Sequence, residues 1–324
     1  MERTATGKLI CLEIIGKCGL NCIHCSTRSN PENSTILDLN IIGKILSEGI
    51  EIGFNELAIS GGDPFVHPNL IQIIRYAKEL GYYVMTYTNG NMIGNDSNLY
   101  PLTNKIYTKL DKAGLDKIIF SLHSTNENIH DRITGSEGSF KNLIKSIENS
   151  KKGFSFQREL NFVIMRINLQ DKISLIRFMK KYNINNIHLL RFVPHGRGLD
   201  NEQILLVEPD ELNSFSEHFY DLNKDIIIEY SSSLPIVNIE NNIKCRAGRE
   251  EKLCITPKGY VFPCVAMKNI IEGNSSNNIK KYPLKTILEN SKIFIVVNAF
   301  KESYNLIDWN CIECPAQQII KNEI

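Results

Sequence analysis

No stretch of about 18 consecutive apolar residues occurs in the 324-residue chain, so nothing in it reads as a membrane-spanning helix. The opening residues, Met1 to Lys8, lack the apolar core of a signal peptide. Neither sign of charge dominates. The 37 Lys and Arg stand against 36 Asp and Glu, a formal net charge of +1, which argues against a broad footprint for nucleic acid or an anionic membrane. These absences point to the cytoplasm, where thiols stay reduced and nine cysteines need a use other than disulfides. Cysteine is also missing from the whole stretch between Cys25 and Cys245. Cys11, Cys18, Cys22 and Cys25 form a front group; Cys245, Cys254, Cys264, Cys311 and Cys314 form a rear one.

Between the two groups the chain alternates apolar runs with amphipathic stretches. Leu9–Ile15, Glu56–Ser60, Tyr82–Thr88, Lys117–Leu122, Ser155–Met165 and Asn186–Val193 read as buried parallel strands, most of them rich in Ile, Val, Tyr or Phe. Pro68–Leu80 reads as a helix from Leu70, Ile73, Ile74, Ala77 and Leu80, and Ser139 is expected to cap a second one carrying Phe140, Leu143, Ile144 and Ile147. Strand–helix units in series make a parallel sheet with right-handed crossovers. Six of them are too few for an eight-stranded barrel, so the expected fold is α/β, a partial (βα)6 barrel with its chemistry at the carboxyl ends of the strands. After Tyr230 this rhythm stops, which places a domain boundary between 1–230 and 231–324.

Directly after the first strand comes Cys18-Gly-Leu-Asn-Cys22-Ile-His-Cys25. Three thiolates at this tight spacing converge on one polynuclear cluster, and three ligands on four irons leave one iron open for chemistry. The rival reading is a zinc knuckle, but His24 lies too close to Cys22 and Cys25 to complete a good tetrahedron. Cys11, alternating within the first strand, reads as core.

The C-x3-C-x2-C triplet in this position resembles that of the radical S-adenosylmethionine (SAM) superfamily. The resemblance implies a [4Fe-4S] cluster on Cys18, Cys22 and Cys25 whose open iron binds the amino and carboxylate groups of SAM. Reductive cleavage would then yield a 5′-deoxyadenosyl radical that takes hydrogen from a substrate. Ser60-Gly61-Gly62-Asp63-Pro64, about 35 residues on, resembles the family turn that meets the methionine ammonium, with Asp63 where Glu is commoner. By the same likeness the cofactor-binding candidates are Gly61, Gly62, Asp63, Pro64, Asn89, Ser121, Arg132, Asn161 and Val193, with Arg132 pairing the SAM carboxylate. Arg191 to Gly198 resembles a segment of peptide- and tetrapyrrole-modifying branches, where Arg191 and Arg197 either bind an acidic group or serve structure.

Cys245 and Cys264, spaced around Gly259, together with Cys311 and Cys314, resemble the twitch domain, a shortened SPASM extension. That likeness implies a small cysteine-rich C-terminal domain holding a second, auxiliary iron–sulfur cluster, with structural zinc as its rival. Cys254 is left over: a replacement ligand, a buried bystander, or a catalytic thiol that returns hydrogen to a substrate radical. The implied activity is a peptide maturase that makes a crosslink, a double bond or an epimer. Its partners would be a low-potential flavodoxin- or ferredoxin-type electron donor, a precursor peptide and, since only 17 residues precede Cys18, a separate recognition protein. Oxidation of a small molecule such as an aminosugar and side-chain chemistry on a tetrapyrrole are alternatives, as is a non-catalytic iron–sulfur or zinc module that carries electrons.

Overall fold

Lys8–Ile15 forms the first strand, β1, and its alternation shows why: Ile10, Leu12 and Ile14 are fully buried on one face, while Cys11 and Glu13 belong to the other. The structure is a computed structural model that describes residues 7–151, 153–222, 226–230, 250–268 and 275–303. The strands that follow are β2 (Phe54–Gly61), β3 (Tyr83–Thr88), β4 (Asn91–Ile93), β5 (Leu99–Pro101), β6 (Lys117–Ser121), β7 (Gln157–Ile164), β8 (Asn186–Arg191), β9 (Ile227–Tyr230), β10 (Lys252–Ile255) and β11 (Val261–Phe262). The helices that matter here are α1 (Leu39–Glu51), α2 (Leu70–Glu79), α3 (Asn104–Lys112), α4 (Glu127–Thr134), α5 (Ser139–Asn149), α6 (Lys172–Tyr182) and the single turn α7 (Arg197–Asp200).

Among the described residues one sheet runs β11-β10-β1-β2-β3-β6-β7-β8-β9. All six expected strands are present within a few residues of their expected limits, each parallel to the next, as a partial barrel requires. The outward rows of these strands join Ile42, Ile45 and Leu46 of α1, Ile73, Ile74 and Ala77 of α2 and Leu175 and Met179 of α6 in one continuous core. Leu9, Ala58, Met85 and Ile119 form a small apolar cluster of their own.

The chain after residue 231, expected to lack strand rhythm, contributes two strands to this same sheet. β10 lies parallel to β1, with Cys254 opposite Cys11, and β11 folds back antiparallel to it. Non-local pairing of this kind leaves little trace in a four-residue strand. Two local expectations also need correcting. Ser139 is the first residue of α5 rather than its cap; Gly138 holds that position, and the Ser139 hydroxyl donates instead to Asp131 Oδ1 at 2.8 Å. Cys11 is only half-buried: it packs against the core and also lines the cavity, because β1 has an inner face that the cavity leaves partly uncovered. No helix among the described residues is long and apolar enough to cross a membrane.

Candidate active site

Period-two alternation turns Cys11 and Glu13 of β1, Ser60 of β2, Tyr87 of β3, Ser121 of β6 and Asn161 and Val163 of β7 toward one space. That space is a cavity of about 520 Å³ near the carboxyl ends of the parallel strands, where such folds place their chemistry. Cys18, Cys22 and Cys25 all line it, as do Gly61, Gly62, Pro64, Asn89, Ser121, Asn161 and Val193.

The cysteine loop is held by backbone and side chain on every side. Cys18 N donates to Asn30 O (3.0 Å), Asn21 N to Thr134 O (3.0 Å) and Ile23 N to Ile133 O (2.9 Å), which ties the loop to α4. Arg197 crosses it from the far end of the barrel: its Nε donates to Cys22 O at 2.9 Å, its Nη2 to Ser29 O at 2.5 Å, and its backbone N to Cys25 O at 2.9 Å. Gly196, at φ +54°, permits this approach, since a Cβ there would run into the carbonyls of Cys25 and Ser26. Of the two roles open to Arg197, the structural one is therefore the one observed.

The Gly-Gly turn does similar work. Gly62 N donates to Ile15 O at 2.7 Å and Asp63 N to Lys17 O at 3.0 Å, and a Cβ on Gly62 would overlap the Lys17 carbonyl. Close backbone approach was expected here; it is made to the strand end that launches the cysteine loop. Asp63 itself does not line the cavity. It is 1% exposed, with Oδ1 accepting from Phe65 N and Oδ2 from Thr88 Oγ1 (3.0 Å) and Asn89 N (2.9 Å). Burial lifts its carboxyl to about 6 against these three hydrogen bonds. It thus joins the ends of β2 and β3 and sets Asn89, whose Nδ2 lies 3.4 Å from Cys18 Sγ.

Arg132 also lies outside the cavity: it is exposed on α4. Arg191 does line the cavity, and its Nε has no hydrogen-bond partner among the described residues. The same holds for Asn161 Oδ1, a buried acceptor left open within the site. His24 packs edge-on against His123 at 4.4 Å between centroids, and His123 meets His130 at 5.4 Å. Burial holds His24 and His130 down at about 4 and His123 well below its ordinary value, so this row of rings is neutral. The sequence named His24 only as a spacer; its ring contact depends on a fold no local pattern encodes.

Cys18, Cys22 and Cys25 surround a shared space, and three thiols are a donor set that an iron–sulfur cluster takes. Burial pushes Cys18 up to about 12, with the Asp63 charge adding to it, and raises Cys22. Bound iron would displace these protons. Of the rear cysteines, Cys254 and Cys264 line the cavity, whereas Cys245, Cys311 and Cys314 lie outside the described residues.

Comparison with known proteins gives the same direction. The family model of the radical SAM superfamily matches residues 12–179. An AdoMet-dependent heme synthase from Methanosarcina barkeri is 27% identical over 316 residues, covering 90% of this chain and 84% of that protein. A probable GTP 3′,8-cyclase from Sulfurisphaera tokodaii is 25% identical over 254 residues, covering 74% and 78%. Streptococcus suis SuiB bound to precursor peptide SuiA shares the fold at a TM-score of 0.72 and 16% identity, over 91% of this chain and 67% of that one. The structure of anSMEcpe with bound AdoMet does so at 0.65 and 15%, over 88% and 78%. Membership implies SAM and a [4Fe-4S] cluster, for which the residues of the cavity are suited. With more than half of its length matched by the family model, the chain belongs to the radical SAM superfamily.

Proposed function

We propose that this enzyme binds SAM against Cys18, Cys22 and Cys25 and removes a hydrogen atom from a peptide, as a maturase. The observation that carries the reading is the single cavity shared by the cysteine triplet, Gly61, Gly62, Pro64, Ser121, Asn161 and Val193. When bound, the cluster supplies the electron that splits the SAM sulfonium. The chain does the rest. Arg197 and the Gly61–Gly62 turn hold the loop, Asn89 Nδ2 donates toward Cys18 Sγ, and Asn161 Oδ1 offers an acceptor to a hydroxyl or ammonium. Val193 gives the cavity an apolar border, suited to a purine face. Cys254, which lines the cavity, would return hydrogen to a substrate radical, and epimerisation would be the outcome. Cys264, with Cys245, Cys311 and Cys314, would hold an auxiliary cluster, and a flavodoxin or ferredoxin would deliver electrons.

A peptide substrate is supported by fold neighbours that hold peptides, SuiB with SuiA and anSMEcpe with the Cp18Cys peptide. A second reading is side-chain chemistry on a carboxylated small molecule of the tetrapyrrole kind. The heme synthase relative, matched over most of both chains, favours it. Anaerobic assay of the reconstituted enzyme with SAM, a low-potential reductant and candidate peptides from the gene neighbourhood tests the first reading. 5′-Deoxyadenosine formed together with a mass change in one peptide supports it. Turnover with every peptide unchanged, and a tetrapyrrole carboxylate consumed, would replace it with the second.

A further inference from the structure

Four cationic side chains among the described residues line the cavity, Lys252, Lys268, Arg191 and Arg197, against one carboxylate, Glu13. Two of the four are already engaged. Arg197 is spent on the carbonyls of Cys22 and Ser29, and Lys268 is paired with Glu13. Lys117, another buried lysine of the barrel, is likewise matched by Glu159 at 2.7 Å. Lys252 differs from both. It is half-buried, its neighbours are the thiols of Cys11, Cys254 and Cys264 and the phenol of Tyr87, and no carboxylate among the described residues pairs with it. A half-buried ammonium set among thiols and a phenol, with no carboxylate beside it, is open to an anionic ligand as its partner.

From this contrast we infer that Lys252 anchors an anionic group of the substrate, a carboxylate or a phosphate. The inference rests on the reading that the cavity holds the substrate, and it names the chemistry recognised there. Lys252 and Cys254 are two residues apart on β10 and so share a face, about 6.8 Å apart along the strand. A substrate held by its anion at Lys252 presents its neighbouring carbons beside Cys254 and, in register with it on β1, Cys11. An acidic peptide side chain and a propionate-bearing small molecule satisfy this equally, and a phosphate ester would as well.

The test is thermal unfolding of the full chain, anaerobically reconstituted with iron and sulfide. Glutarate, inorganic phosphate and neutral glutaramide are compared at matched ionic strength. At least one of the two anions should raise Tm by several degrees in a concentration-dependent way, and glutaramide should not. A response to glutarate alone assigns a carboxylate; a response to phosphate alone assigns a phosphate. Lys252→Arg should keep the response and Lys252→Met should lose it. Without anion, Lys252→Met should unfold at or above the wild-type temperature, because methionine keeps the stem and removes the unmatched charge. Lys268→Met, which strands Glu13, should unfold lower. No response to either anion, an equal response in Lys252→Met, or a Lys252→Met protein that unfolds well below wild type or does not fold overturns the inference. Formation of 5′-deoxyadenosine by the unaltered enzyme, measured without any anion, tests the cofactor reading separately.

Discussion

The guanidinium of Arg197 donates from Nε to the carbonyl of Cys22 at 2.9 Å, so the segment that follows β8 grips the loop that follows β1. A second hydrogen bond, from Nη2 to Ser29 O, makes the grip two-pronged, which a planar fork permits and a point ammonium does not. Arg197→Lys should therefore loosen the cysteine loop. Losing a charged hydrogen bond costs about 1.5–3 kcal/mol, which corresponds to a roughly ten- to hundredfold weaker hold on the cluster. Iron and sulfide counts after anaerobic reconstitution should fall, while circular dichroism stays at the wild-type spectrum. Full cluster occupancy in Arg197→Lys would show that the grip is dispensable.

Gly62 is the other fixed point of that loop. A methyl at this position would overlap the Lys17 carbonyl, one residue before the first cysteine, and backbone cannot yield as a flexible side chain does. Gly62→Ala should cost about 1–3 kcal/mol, the range for overpacking a tight site. It should also lower SAM affinity, because the displaced turn lines the cavity. Thermal unfolding and SAM titration check both parts; an unchanged Tm would mean that the turn shifts freely.

How far these features were readable depends on whether they are local. The triplet at Cys18, Cys22 and Cys25 and the turn at Gly61–Pro64 are short, contiguous and fixed by spacing, and the six strands announce themselves by their apolar composition. Side-chain direction in loops is not announced. Asp63 carries the right charge in the right turn, yet three inward hydrogen bonds consume its carboxylate. Arg132 follows β6 in the chain but is exposed on α4 and lies outside the cavity. The cavity roles of Cys11 and Lys252 could not be read because they depend on β10 pairing with β1 across more than two hundred residues.

Glu159 should be the stability anchor of the barrel interior. It is fully buried on β7 and takes Lys117 Nζ at 2.7 Å, Asn186 Nδ2 at 3.0 Å and His188 Nε2 at 2.5 Å. Glu159→Gln leaves the Lys117 ammonium buried without its partner and should cost about 3–5 kcal/mol, the usual result of breaking a buried pair from one side. The pH dependence has a definite sign. Burial raises the Glu159 carboxyl, and the bonds from His188 and Lys117 outweigh it, so the folded protein holds it below its ordinary value of 4.5. Its contribution is then fully present above that value and lost as pH falls through the lower folded one. Wild-type Tm should drop in acid below about pH 4.5, with Glu159→Gln dropping less. Parallel acid profiles for the two proteins would remove Glu159 from this role.

Asn161 and Arg132 began as equal candidates for SAM contacts, and their positions now separate them. Asn161 Oδ1 is buried, faces the cavity and has no partner among the described residues, so the folded protein gains no hydrogen bond from it. Asn161→Ala should leave Tm unchanged or slightly raised. It should weaken SAM binding by about 1–2 kcal/mol, or roughly five- to thirtyfold, as loss of one hydrogen bond in a dry site does. Arg132 is exposed and outside the cavity, so Arg132→Ala should change SAM affinity by less than about twofold, like other surface substitutions. Equilibrium binding of SAM to the two reconstituted variants decides the matter. Loss of affinity in Arg132→Ala with none in Asn161→Ala would reverse the assignment and place the SAM carboxylate at α4.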